Sequence, residues 1–283
     1  MPGGTTIRAY AKINLTLEVL GVRPDGYHAL RSVVMPVSLF DTVRLEKASD
    51  VTSDYPGEGD ISVKAARAIL PPGAGVRISL DKAIPEGGGL GGGSADAAAV
   101  LVALNEMYSL GLGVDRLAQI ASSVGSDVPA LVLARYAGAV VMEGRGEKVS
   151  PLGVSPGRTL HIVLANPRVH ASTKEVFARC SSHMAQNPEI LYNMREALAS
   201  SDRGKISEAL ANDLSGAAAA LHPEIASAAE RLGVVVNSRV SMTGSGATVF
   251  ALADSPETAD AAVAALEAEG FWAKHVTNEC PVV

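Results

Sequence analysis

Six of the seven residues from Gly87 to Gly93 are glycine, inside the run Pro85-Glu86-Gly87-Gly88-Gly89-Leu90-Gly91-Gly92-Gly93-Ser94-Ala95. Without Cβ atoms, such a run reaches left-handed backbone conformations and brings its amides close to a ligand. Ser94 stands where a helix N-cap belongs, with Asp96 in the first turn. Ala97, Ala98, Val100, Leu101 and Leu104 follow at helical spacing. Unpaired N–H groups and the helix dipole converge at such a helix start, which makes it a site for anions and for phosphate above all. A flexible linker is the competing reading of a glycine run, but linkers do not end in a capped apolar helix. A Walker A loop needs Lys and then Ser/Thr after its last glycine, and here Gly93 is followed directly by Ser94. Gly87, Gly89 and Gly92 fit G-x-G-x-x-G, yet Asp115, the acid at the right distance, follows a helix and no second strand. The loop therefore binds phosphate in a manner of its own.

The flanking elements must hold this loop. Ile13, Leu15, Leu17 and Val19 alternate with Asn14, Thr16 and Glu18, which predicts a half-buried strand over Ile7–Leu20. Lys12 and Asn14 lie two apart on its polar face and point the same way. A turn, Gly21 to Gly26, then exposes Tyr27 and His28. Val33 to Leu39 alternate again, Val43 and Leu45 suggest another strand, and Asp60 caps a helix ending at Ile69. Val76, Ile78 and Leu80 form a strand that feeds the glycine loop. After it come helices over Asp96–Tyr108 and Asp115–Ser123. Pro129 fits the first turn of another, which places Asp127 at or near its cap. Strands follow at Gly138–Glu143 and His161–Ala165. The proline- and glycine-bearing stretch Pro151–Gly157 between them sets a domain boundary, dividing residues 1–153 from 154–283. Helices are expected at Ser172–Cys180, Glu189–Ser200, Lys205–Leu210, Pro223–Leu232 and Pro256–Glu269, and a last strand at Phe271–Thr277. A second glycine signal, Thr243-Gly244-Ser245-Gly246, lies inside the apolar run Val240–Leu252.

With 283 residues and 47% hydrophobic content the chain has material for about two domains. A net charge of −6 and 4% aromatic residues argue against nucleic-acid binding. Cys180 and Cys280 have no metal-type spacing, no apolar run is long enough to span a membrane, and no signal sequence is evident. A cytoplasmic, soluble protein with no membrane partner is expected. His161, His170, His183, His222 and His275 show no metal-ligand spacing either.

Three blocks in this order, Ala11-Lys-Ile-Asn-Leu15, the Pro85–Ala98 loop and Met242–Phe250, resemble the GHMP small-molecule kinases. The stretches AKINLTLEVLGVRPDGYHAL, GSDVPAL, LANPRVHAST and AND narrow the resemblance. They point to the branch that phosphorylates the 2-hydroxyl of a cytidine-diphosphate-linked methylerythritol in the non-mevalonate isoprenoid route. The resemblance covers nearly the whole chain. It implies an α+β fold, with an N-terminal ribosomal S5 domain 2-like α/β domain that binds ATP and a ferredoxin-like C-terminal domain. It also implies ATP and Mg²⁺ as cofactors and a small-molecule substrate, and leaves monomer or homodimer open.

The residues take their roles from that resemblance. Lys12 supplies a fixed positive charge and Asp127 an acceptor for the attacking hydroxyl, in a reaction where the protein mainly aligns groups and neutralises charge. Residues 85–95 hold the nucleotide, and Asn14 bonds substrate or phosphate. Tyr27 stacks on the cytosine and His28 reads its edge. Ser94 ligates Mg²⁺, caps its helix, or does both, while Asp96 complements the helix dipole. Thr243, Gly244, Ser245 and Gly246 brace phosphates or substrate from the second domain. Two positions depart from the pattern. Asp60-Ile61 stands where the family has Asn-Leu, and an aspartate accepts from the adenine amino group but cannot donate to a ring nitrogen. Ala95 stands where many members carry Ser. A sibling kinase for homoserine or mevalonate, and a nucleotide sensor without catalysis, are the rival readings. Retention of both Lys12 and Asp127 speaks against the sensor.

Overall fold

The computed structural model describes residues 4–55, 60–180 and 187–280, so that His183 falls outside them. The chain opens with two long antiparallel strands, β1 (Gly4–Val22) and β2 (His28–Ala48). A short β3 (Thr52–Ser53) and helix α1 (Ile61–Ile69) lead to β4 (Gly75–Asp81). Helices α2 (Gly92–Met107), α3 (Val114–Ala121) and α4 (Val128–Ala137) follow, and the hairpin β5 (Val140–Gly144) and β6 (Lys148–Pro151) closes this half. The two stretches expected as separate strands around residues 33–39 and 43–45 are one strand. Its later part pairs with β4 and its earlier part with β5 on the same edge.

The second half runs β7 (His161–Asn166), α5 (Thr173–Arg179), α6 (Glu189–Ser200), α7 (Arg203–Glu208), β8 (Ala211–Asn212) and α8 (Ser215–Leu221). It continues with α9 (Pro223–Val236), β9 (Val240–Met242), β10 (Val249–Ala253), α10 (Pro256–Ala268) and β11 (Trp272–Thr277). The apolar run expected from Val240 to Leu252 is thus two antiparallel strands joined through the second glycine segment. The sheet order β11-β7-β10-β9, antiparallel throughout, gives the ferredoxin-like half. One face packs on α9 and α10 through Val163, Ala165, Val249 and Ala251 with Ile225, Leu232 and Leu266. The other face, Ile162, Leu164, Phe250 and Leu252, joins the core that contains Ile13, Leu15, Leu101 and Met194. The second sheet is thereby buried on both faces, and one apolar core runs through both halves.

This arrangement corrects the half-buried reading of β1. Its polar side is covered too: Lys12, Asn14, Thr16 and Glu18 are each at most 3% exposed. The cover comes from the second half, where β8 adds a parallel strand along Thr16–Leu17 and the Thr243–Gly244 segment lies over Asn14. Burying charged and amide groups is tolerable only with partners, and each has one. Arg31 bonds both oxygens of Glu18 at 2.8 Å, and Ser32 and Lys12 bond the Asn14 amide.

Candidate functional site

A cleft of about 460 Å³ lies where the two halves meet. Its floor is the glycine loop. Gly87, Gly89 and Gly91 all have positive φ, at 64°, 77° and 73°, so the chain zigzags through conformations that only glycine adopts freely. At Gly89 a side chain is also excluded by space, because a Cβ would stand 2.1 Å from the Thr243 carbonyl oxygen. The loop is pinned from three sides. Lys12 N donates to Leu90 O at 3.0 Å, Thr248 N to Gly88 O at 3.2 Å, and Thr243 Oγ1 to Gly89 O at 3.1 Å. Leu90 itself is fully buried, and Ala95 nearly so.

The helix after the loop begins earlier than its sequence suggests. Gly91, not Ser94, is the N-cap of α2, and its carbonyl accepts from Ala95 N at 2.8 Å. Ser94 lies within the first turn and lines the cleft, and its hydroxyl makes no hydrogen bond to any described residue. The first-turn N–H groups have no intrahelical partner, and Gly92, Gly93 and Ser94 all line the cleft. Asp96 is not a solvated partner of the helix dipole. It is buried and bonds Lys82 Nζ through Oδ2 at 2.5 Å, while its Oδ1 has no partner among the described residues.

Lys82 is shared, since its Nζ also bonds Asp41 Oδ2 at 2.5 Å. Asp41 is fully buried and accepts from the backbone of Ala83 and Ile84, which fixes the stem of the glycine loop. Burial pushes the Asp96 carboxyl up to about 7, against the pull of Lys82 and with the neighbouring Asp41 adding to the rise. Lys82 is pulled down by burial, but its bonds to the two carboxylates outweigh this and raise it. Neither Lys82 nor Asp41 stands out in the sequence. They meet only because β2 and β4 pair with Thr42 opposite Asp81.

Lys12 and Asp127 come together from distant parts of the chain. Lys12 Nζ bonds Asn14 Oδ1 at 2.7 Å and stands 3.5 Å from Asp127 Oδ2, at the mouth of the glycine loop. Asp127 occupies the cap position of α4, yet its side chain makes no capping bond. It is the less buried partner, its side chain 31% exposed against 4% for Lys12. A carboxylate that neither caps its helix nor sinks into the core is available to a ligand. Asn14 is more committed. Besides Lys12, its Oδ1 accepts from Gly244 N at 2.8 Å, and its Nδ2 donates to Ser32 Oγ at 2.7 Å, leaving one amide hydrogen without a partner among the described residues.

The second glycine segment closes the cleft from above. Thr243 is fully buried between Asn14 and the glycine loop, and Gly244 and Ser245 line the cleft. Ser245 Oγ shares a hydrogen bond with Thr173 Oγ1 at 2.8 Å. Gly246 lies behind, facing Met242 and Ile225.

One end of the cleft is walled by Tyr55, Asp60, Ile61, Leu80, Lys82 and Glu86, with a hydrogen bond from Tyr55 to Glu86 spanning it. Asp60 caps α1 by accepting from Ser62 N at 2.8 Å, and its other oxygen is buried with no partner among the described residues. The opposite end is apolar: Leu17, Leu30, Met142, Phe177 and Leu214. Tyr27, 58% exposed, and His28 both lie outside this lining, but His28 packs its ring at 5.0 Å between centres on Phe177, which belongs to it. Phe177 was not marked by the sequence, where it reads only as an apolar residue of a helix.

Residues 60–135 match the family model of the GHMP kinases N terminal domain, and residues 194–271 that of the GHMP kinases C terminal domain. The chain is 39% identical to a 4-diphosphocytidyl-2-C-methyl-D-erythritol kinase of Nocardia farcinica, over all of this chain and 95% of that one. It is 40% identical to a protein of the same name from Thiobacillus denitrificans, over 94% and 93%. Among solved structures, a 4-(cytidine 5'-diphospho)-2C-methyl-D-erythritol kinase superposes with a TM-score of 0.81 at 34% identity, over 96% of this chain and 98% of that one. A homoserine kinase from Cytophaga hutchinsonii shares the fold at a TM-score of 0.74 and 20% identity, over 98% and 95%.

Proposed function

Since the chain belongs to the GHMP kinases, in their 4-diphosphocytidyl-2-C-methyl-D-erythritol kinase branch, we propose that its interdomain cleft aligns ATP with that cytidylyl alcohol. The protein is an ATP-dependent small-molecule kinase. It transfers a phosphoryl group to the 2-hydroxyl of 4-diphosphocytidyl-2-C-methyl-D-erythritol, a step towards isoprenoid precursors. On this reading residues 1–153 form the ATP-binding domain and residues 154–283 the second domain, which covers the site.

Three groups then share the work. The triphosphate lies along residues 85–95, against the free amides at the start of α2. Its adenine enters the end walled by Tyr55 and Asp60, where the unpaired Asp60 oxygen accepts from the exocyclic amine. The substrate enters from the apolar end, with its cytosine between Tyr27 and Phe177 and its edge read by His28. Lys12 places a cation at the γ-phosphate and steers Asp127 towards the alcohol, and Asn14 and the Thr243–Gly246 segment hold that lysine in place. Phosphoryl transfer passes through a loose transition state, so the acid orients the hydroxyl and takes its proton late. Ser94, whose hydroxyl has no hydrogen-bond partner among the described residues and lines the cleft, would hold Mg²⁺, which would neutralise phosphate charge and needs few protein ligands.

The observation that carries this reading is the Lys12–Asp127 pair, 3.5 Å apart at the mouth of a glycine loop. The test is ADP release with the cytidylyl methylerythritol compound, homoserine and mevalonate offered in parallel, in wild type and in Asp127→Asn. Wild type should turn over the first alone. Asp127→Asn should keep ATP affinity while kcat falls at least ~10²-fold, the low end for a proton-transfer group. Near-normal turnover in the variant would remove Asp127 from the mechanism.

A further inference from the structure

The turn Gly144–Glu147 between β5 and β6 touches two distant parts of the cleft's surroundings at once. On one side it holds the loop before β2. The Arg145 guanidinium carbon stands 5.4 Å from the centre of the Tyr27 ring. Arg23, in the same loop as Tyr27, donates from Nη1 to Glu147 Oε1 at 3.1 Å, and the other Glu147 oxygen accepts from Arg145 N at 2.6 Å. The loop is itself tight, with Arg23 N donating to Tyr27 O at 2.7 Å and Tyr27 N to Asp25 Oδ1 at 3.1 Å. Burial opposes ionisation of Glu147, but the amides of Glu147 and Arg145 and the Arg23 guanidinium outweigh it and hold the carboxyl below its usual range.

On its other side the turn rests on the residue before Asp127. Gly146 has φ 112°, and a Cβ there would stand 2.3 Å from the Ser126 carbonyl oxygen and 2.9 Å from its carbon. Tyr27, Ser126, Arg145 and Glu147 line one cavity of about 180 Å³. The turn cannot drift on its own, because β5 is paired to β2 with Gly144 opposite Leu30.

We propose that this turn is a strut that sets the substrate-base loop in register with the transfer acid, with Arg145 and Gly146 as its positioning residues. The proposal rests on Tyr27 being the cytosine platform. A substrate held by its base at one end and its hydroxyl at the other reacts only if the spacing between Tyr27 and Asp127 is kept, since small misplacements cost rate steeply. Arg145 lies over one face of the Tyr27 ring and leaves the other for the base. Gly146 sets how closely the turn approaches Ser126, and through it the position of Asp127.

Steady-state kinetics of Arg145→Ala, Arg145→Lys and Gly146→Ala, with ATP and the cytidylyl substrate varied in turn, test this. Arg145→Ala should raise the KM for the cytidylyl substrate roughly two- to five-fold, the worth of one exposed cation–ring contact, with the KM for ATP unchanged. Arg145→Lys keeps a cation over the ring and should restore most of the loss. Gly146→Ala should lower kcat by about ten-fold or more at an unchanged KM for ATP. If Gly146→Ala fails to fold, Glu147→Gln, which weakens the Arg23 tie without adding an atom, should reproduce the KM rise. Equal rises in both KM values for Arg145→Ala, or a folded Gly146→Ala with wild-type kcat, overturn the strut. Absence of wild-type turnover overturns the kinase reading, and the strut with it, so the two failures are distinct.

Discussion

Replacing Asp96 with Asn should change how stability depends on pH, and the size follows from the Lys82 cluster. Lys82 lies between two carboxyls, Asp41 with two further backbone donors and Asp96 with none, so a proton entering the cluster goes to Asp96. Burial raises that carboxyl to about 7 in the folded chain, above its ordinary 3.8. A group whose folded pKa is raised contributes its full stability below the unfolded value and loses it as pH rises through the folded one. Between pH 5 and pH 8 the wild type should therefore lose about 2–3 kcal/mol through this carboxyl, at ~1.36 kcal/mol per unit. Asn cannot ionise, and its carbonyl keeps the bond from Lys82. Asp96→Asn should accordingly match the wild type only near pH 4 and below, already exceed it at pH 5, and exceed it further with each unit up to about pH 7. Urea unfolding of both proteins at pH 5, 6, 7 and 8 measures the difference, in which every other titrating group cancels. A difference that stays flat across this range, or that grows in favour of the wild type as pH rises, would refute the assignment.

Three further outcomes are expected. Tyr27→Ala should raise the KM for the cytidylyl substrate while leaving that for ATP nearly unchanged; the reverse pattern in steady-state kinetics would displace Tyr27 from the base. Asp60→Asn keeps the cap on α1, since both residues cap equally well, but turns a donor towards the adenine. A donor to a ring nitrogen is what the family's Asn supplies here, so the KM for ATP should fall by about two- to ten-fold, the worth of one hydrogen bond, and an unchanged KM for ATP would take residue 60 out of the base contact. Thr243→Val leaves Asn14 N and Gly89 O without their buried hydroxyl and should cost about 1–3 kcal/mol in unfolding, with a raised KM for ATP. Thr243→Ser should recover both, and a Val variant as stable as wild type would sever the proposed link between the second domain and the glycine loop.

What the sequence made legible was local, and what it hid was tertiary. The glycine run, the α1 cap at Asp60 and the strand pairs flanking the loop are each written in neighbouring residues, and the structure keeps them. Ser94 misled because cap preference names the best side chain and not the first helical turn. Gly91, already in a left-handed conformation, ends the loop three residues sooner, and Gly92 and Gly93 continue as helix. Short pieces such as β8 and α8 carry no period long enough to read, and β8 exists only because β1 offers it an edge.

The buried polar face of β1 shows the same limit more sharply, and it bears on mechanism. Alternation of Asn14, Thr16 and Glu18 with apolar neighbours describes a strand wet on one side, and no nearby residue says otherwise. The second domain dries that side, and drying it changes what Lys12 is. On a wet strand a lysine would be one mobile, hydrated cation among others, of little use to a developing charge. Here Asn14 Oδ1, fixed by Gly244 N and the Thr243 hydroxyl, holds the ammonium facing Asp127 and the cleft. In water-excluded surroundings such a preorganised charge acts far more strongly on a transferring phosphoryl group. The residue types are therefore readable from β1, but the electrostatic strength of Lys12 belongs to a contact made over two hundred residues later in the chain, at Thr243 and Gly244.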